Sequence, residues 1–131
     1  MSRSSFPARL ARPIARALIA AVSLFLLATD ANAHAHLLRT TPPVGGTVAP
    51  PSELRLEFSE GVEPRFSGVK LTSANGASVP LGPAKTEAGN AAVLIVPIGK
   101  PLPPGVYTVR WRAVSVDTHH TQGDFQFTVQ P

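Results

Sequence analysis

From residue 53 onward the chain alternates apolar and polar positions with a period of two, the pattern of strands that bury one face. Glu53-Leu-Arg-Leu-Glu-Phe58 sets Leu54, Leu56 and Phe58 against a charged side, and Val69-Lys-Leu-Thr72 repeats the alternation. Asn75-Gly76 follows as a tight-turn dipeptide leading into Ser78–Leu81. Ala91–Val96 is a short unbroken apolar run, which predicts a more fully buried strand. In Val106–Val114, Tyr107, Val109, Trp111 and Ala113 share the face that predicts the core, while Val106, Thr108, Arg110 and Arg112 share the other. Asp124–Val129 reads as a closing strand with Phe125, Phe127 and Val129 inward. Pro and Gly clusters separate these runs, among them Pro42-Pro43, Gly45-Gly46, Pro50-Pro51 and Pro101 to Gly105. No stretch after residue 33 holds a helical period, so the pattern predicts an all-β single domain, a sandwich or small barrel.

The first third of the chain follows different rules. Residues 1–16 carry Arg3, Arg9, Arg12 and Arg16 without an acidic residue, an apolar run spans Ala17–Ala28, and Ala31-Asn32-Ala33 is a small-x-small triplet. Positive region, short apolar region and A-x-A site together predict a secretory signal peptide over residues 1–33, cleaved after Ala33, with the domain at residues 34–131. The apolar run is shorter than the roughly 20 residues a membrane helix needs. The absence of an Arg-Arg pair favours the general secretory route. Export predicts a periplasmic protein.

Charge and sulfur then narrow the function. Removing residues 1–33 takes away four arginines and Asp30, so the net charge falls from +4 to +1. That leaves no basic stripe for a phosphate backbone, which excludes nucleic-acid binding. The chain has no cysteine, and its one methionine is Met1. Thiolate metal sites, thiol redox chemistry and soft sulfur ligation of copper(I) are therefore excluded from residues 34–131.

All four histidines lie in two places: His34 and His36 at the predicted new N-terminus, His119 and His120 just after Asp117. Cleavage after Ala33 gives His34 a free α-amino group, so amine and imidazole can chelate one ion from a single residue. Loss of the amine's proton is a mild cost near neutral pH, its reference pKa being about 7.7–8.0. In an extended strand His36 leaves by the same face as His34, and Asp117 bears the same i, i+2 relation to His119. If the first strand docks beside Asp117–His119, these pairs form a nitrogen-rich site with one carboxylate. Such a set suits copper(II), with zinc and nickel(II) left open by ligand type. His120 reads as solvent-exposed, Tyr107 and Trp111 as core, Arg110 and Arg112 as a polar face, and Glu57, Glu60 and Glu63 as solvated strand-edge charges.

His34-Ala-His-Leu-Leu-Arg-Thr-Thr-Pro-Pro43, Leu56-Glu-Phe-Ser-Glu60, and Trp111-Arg-Ala-Val-Ser-Val-Asp-Thr-His119 with Gly123-Asp-Phe-Gln-Phe-Thr-Val129 resemble the CopC family of periplasmic copper-resistance proteins. The resemblance spans essentially all of residues 34–131. It implies a Greek-key β-barrel or sandwich of about seven strands, cupredoxin- or immunoglobulin-like. It also implies a copper(II) site of His34 (amine and imidazole), Asp117 and His119, with His36 as an additional ligand in some members. The methionine-rich copper(I) loop of classical members has no counterpart here, which points to a copper(II)-only member. The implied function is a monomeric, non-enzymatic protein that sequesters or carries copper(II) in copper homeostasis and resistance. Its implied partner is an inner-membrane copper transporter of the CopD type, with no membrane span of its own after residue 33. Two other classes remain: a copper-dependent oxidative enzyme with an N-terminal histidine site, and a structural immunoglobulin-like module.

Overall fold

The computed structural model describes residues 34–131; the predicted signal peptide lies outside the described residues. Nine strands follow one another: β1 (Leu37–Thr41), β2 (Thr47–Val48), β3 (Glu53–Phe58), β4 (Gly68–Ser73), β5 (Ser78–Val79), β6 (Lys85–Glu87), β7 (Asn90–Pro97), β8 (Gly105–Val114) and β9 (His120–Val129). They form two open sheets, β1-β3-β7-β6 and β2-β9-β8-β4-β5. Between the alternatives of barrel and sandwich, the fold is the sandwich. Strands distant in sequence pair in both sheets, β3 with β7 and β4 with β8, each antiparallel, while β2 runs parallel to β9.

The inward sides of the expected strands meet as one core. Leu54, Leu56 and Phe58 of β3 face Leu71, Tyr107, Val109, Phe125, Phe127 and Val129 of the other sheet, all within the buried cluster. β7 is buried over Val93–Val96 in succession, as its unbroken apolar run implies. Tyr107 stacks on Phe127 with ring centroids 5.7 Å apart and donates its hydroxyl to the Pro103 carbonyl oxygen at 2.7 Å. A buried ring thereby keeps a partner for its polar tip. Between the sheets, Trp111 meets Phe58 edge-on with centroids 5.4 Å apart.

Three elements escaped the sequence pattern. β1, β2 and β6 are short strands at sheet edges, where two apolar residues at most give no period to read. β9 begins at His120 rather than Asp124 because Thr121, Gln122 and Gly123 pair in register with Ala113, Arg112 and Trp111 of β8. The partner strand, not apolar content, makes these residues a strand.

Gly123 is where that register is tightest. A Cβ there would lie 2.8 Å from Cζ2 and 2.9 Å from Cε2 of Trp111, whose indole lies across the glycine. Gly123→Ala must push a buried ring, and overpacking of this kind typically costs about 1–3 kcal/mol. Urea denaturation should show the midpoint falling accordingly; an unchanged midpoint would mean the ring moves freely.

Candidate metal centre

The N-terminal residues are fastened one by one to the end of β3 and the start of β9. Ala35 is fully buried and carries the segment into the core, leaving His34 and His36 exposed on either side of it. Ser59, just past β3, takes the His36 N–H on its Oγ at 2.8 Å and gives its own N–H to the His36 carbonyl at 2.8 Å. Its hydroxyl donates onward to the His34 carbonyl at 3.3 Å. From the other sheet, the Thr121 hydroxyl donates to the Ala35 carbonyl at 2.9 Å. Strand β1 then continues from this anchor, pairing Leu37 with Phe58.

The second half of the site is the five-residue connection between β8 and β9. Ser115 is fully buried; its N–H donates to the His119 carbonyl at 2.9 Å, and its own carbonyl accepts the Thr118 N–H at 2.8 Å. Thr118 has φ +73°, a left-handed conformation that a β-branched residue adopts only where its surroundings demand it. The loop is also tied to the neighbouring segment, since Val116 N–H donates to Gly61 O at 3.1 Å and Glu63 N–H to Val114 O at 2.8 Å. Asp117 and His119 therefore meet across a tight turn. The extended i, i+2 geometry expected for them does not apply.

Within the turn, Asp117 is held from two sides. The Ser115 hydroxyl donates to Asp117 Oδ1, and His119 Nδ1 lies 3.1 Å from Asp117 Oδ2. The Ser115 hydrogen bond first, then those from His119, hold the Asp117 carboxyl below its ordinary value, so it stays a carboxylate at neutral pH. His119 Nδ1 and Asp117 Oδ2 are therefore neighbouring donor atoms, close enough to take adjacent positions on one ion.

His34 reaches this turn from the opposite end of the domain: its ring meets that of His119 at right angles, centroids 4.5 Å apart. Three of the four expected residues thus form a contact chain, His34–His119–Asp117. The fourth, His36, joins through its backbone; among the described residues its side chain has no hydrogen bond or ring contact with the other three. His120 opens β9 opposite Val114 and is exposed, as expected. Among the described residues, no three His, Asp or Glu side chains yet converge as a complete cage around one point.

One acid departs from its sequence reading. Glu60, read as a solvated charge, has Oε1 buried without a hydrogen-bond partner among the described residues. A buried carboxylate oxygen in that state is costly unless a cation or water satisfies it. It follows Ser59, the residue that clasps His34 and His36. Only its place immediately after Phe58-Ser59 marks it in the sequence, because the alternation of β3 has ended there.

The comparisons settle the family. A family model described as the CopC domain matches residues 37–130. The chain belongs to the CopC family. A CopC-family member is also what its relatives indicate: it is 41% identical to protein YobA of Escherichia coli K12 over 113 residues, covering 86% of this chain and 91% of YobA. It is 34% identical to copper resistance protein C of Escherichia coli over 110 residues, covering 79% of this chain and 87% of that protein. Its fold is similar to the crystal structure of PcoC, a methionine-rich copper resistance protein from Escherichia coli. The TM-score is 0.68 at 35% identity, covering 75% of this chain and all of PcoC. The family binds copper and is not a family of enzymes, so copper resistance is the functional class of this chain and the oxidative-enzyme alternative falls away. Against the methionine-rich relative, this CopC chain has Met1 alone.

Proposed function

We propose that this protein binds copper(II) through His34, Asp117 and His119 and sequesters or carries it outside the cytoplasm as a monomer. The observation that carries the reading is the meeting of His34 and His119, residues from the two ends of the domain, beside a carboxylate kept ionised by Ser115. Copper(II) favours nitrogen and oxygen donors in a tetragonal arrangement, and imidazole, amine and carboxylate supply them. Within residues 34–131 there is no sulfur to favour copper(I).

Cleavage after Ala33 supplies the missing donor. While Ala33 is attached, the His34 nitrogen is an amide; once freed, it is an amine able to chelate together with the His34 ring. The signal-peptide reading of residues 1–33 and the ligand set therefore support each other, and export to the periplasm belongs to the same proposal. Glu60 adds a carboxylate on the segment that clasps His34. His36 is left outside this ligand set, since among the described residues its side chain makes no hydrogen bond, ion pair or ring contact with the other three. From the family resemblance, a membrane copper transporter of the CopD type is the proposed exchange partner.

The test is copper(II) titration of the form beginning at His34, followed by electron paramagnetic resonance. His119→Ala removes a nitrogen donor and is expected to weaken binding about a hundredfold, with altered nitrogen hyperfine structure. His36→Ala is expected to leave both affinity and spectrum as they were. If His36→Ala weakens binding as much as His119→Ala, the ligand set is wrong.

A further inference from the structure

The copper reading uses one end of the sandwich and leaves the outer face of β4, β8 and β9 unexplained. There Lys70 of β4 stands directly opposite Arg110 of β8, and Gly68 stands opposite Arg112. On the other flank, β9 sets Asp124 opposite Arg110 and Gln122 opposite Arg112. Lys70, Arg110 and Arg112 are all exposed, and none forms an ion pair with a described residue. Together with Gly68, Gln122 and Asp124 they line a shallow groove of about 840 Å³. Gly68 opens it, because nothing lies within 4 Å of where its Cβ would stand.

Like charges directly opposite across two strands destabilise a sheet. Asp124 on β9 offsets one of the three positive charges, and the excess that remains has no partner among the described residues, which an anion seated over the groove would supply. We propose that this face is a docking surface for an extended acidic segment of another polypeptide. Arg110 and Arg112 are two positions apart on one strand face, about 7 Å along the strand. Carboxylates at i and i+2 of an extended segment have the same spacing, and each guanidinium can grip one of them with two parallel hydrogen bonds. Lys70, opposite Arg110 on the neighbouring strand, adds a second positive charge beside the first carboxylate.

A second copy of this chain has no two carboxylates at i and i+2 to supply that segment. The carboxylates on the opposite sheet are already engaged, Glu57 with Arg39 at 3.8 Å, and Glu53 and Glu87 with Arg55 at 3.6 and 2.6 Å. A lipid surface is the poorer fit, because binding there draws on apolar side chains inserted between lipids. The exposed large apolar residues, Leu38, Val44, Phe66, Val106 and Val116, all lie outside the groove lining.

The test uses metal-free protein beginning at His34, so its outcome is separate from that of the copper reading. The probe is a synthetic peptide of alternating Glu and Ser, titrated at low salt while backbone amide shifts are followed by NMR. The shifts are expected to move at residues 68–70, 110–112 and 122–124. Arg110→Ser with Arg112→Ser is expected to weaken binding roughly tenfold. Lys85→Ser with Lys100→Ser removes the same charge elsewhere and should change affinity less than about twofold by the same reasoning. Lys70→Glu is expected to weaken peptide binding while leaving the melting temperature equal or higher, since it relieves the like-charge pair. Equal losses in the two double variants, shifts centred elsewhere, or binding of phosphatidylglycerol vesicles through these residues in place of the peptide would each overturn the proposal.

Discussion

A single glycine placed ahead of His34 is expected to lower copper(II) affinity by about a hundredfold or more, the equivalent of roughly 2.7 kcal/mol. The extra residue leaves every side chain in place, and His34 keeps its contact with His119. What changes is one atom: the α-nitrogen becomes an amide, and the two-point chelate from His34 is lost. The measurement is a pair of competition titrations against a copper(II) chelator of known affinity. Metal-binding nitrogens must first shed their protons, so affinity should fall as pH is lowered. It should fall less steeply in the extended form, which has one proton fewer to displace. Equal affinities and equal pH slopes would remove the amine from the site, and with it the dependence on cleavage after Ala33.

Phe127→Ala is expected to cost about 3–5 kcal/mol, as truncation of a buried aromatic residue typically does. Phe127 is 1% exposed, stacks on Tyr107 and sits on β9 where both sheets contribute to the core. A domain of this size has a total stability of about 5–15 kcal/mol, and without cysteine no disulfide limits the damage. The loss should appear as a lower denaturation midpoint, with the slope against denaturant unchanged. Copper(II) at about a thousand times its dissociation constant stabilises the folded state by about 4 kcal/mol. Added copper should therefore return most of the lost stability to the variant. No change in midpoint with saturating copper would show that the metal binds a site indifferent to folding.

The two proposals make separate demands on the chain. The copper site needs residues that the fold draws together at one end of the sandwich. The basic groove needs residues that the β4–β8–β9 register lines up along one face, leading toward the same β8–β9 turn. Loss of groove charge leaves the ligand set intact, and loss of His119 leaves the groove intact.

Most strands were legible because their burial is local and periodic: Leu54, Leu56 and Phe58 alternate with charges, and Tyr107 to Ala113 alternate with exposed residues. The residue types of the site were legible too, since the histidines cluster and Asp117 lies two residues from His119. Short edge strands such as β1 and β6 were not, because a few residues carry no period. Glu60 was hidden for a related reason: its burial comes from chain packed around it, not from the alternation of β3.

By itself the sequence determined the all-β class, the inward faces of the long strands, and the donor atoms available to a metal. Side-chain period and ligand chemistry are properties of short segments, and they survive without tertiary structure. Only the tertiary structure decided that two open sheets form a sandwich and that Ser59 and Thr121 clamp the backbone of residues 34–36. It also decided that a turn with Thr118 in a left-handed conformation, rather than an extended strand, brings Asp117 to His119. These arrangements depend on hydrogen bonds between residues far apart in the chain, and no local pattern encodes which distant partner a backbone group will find.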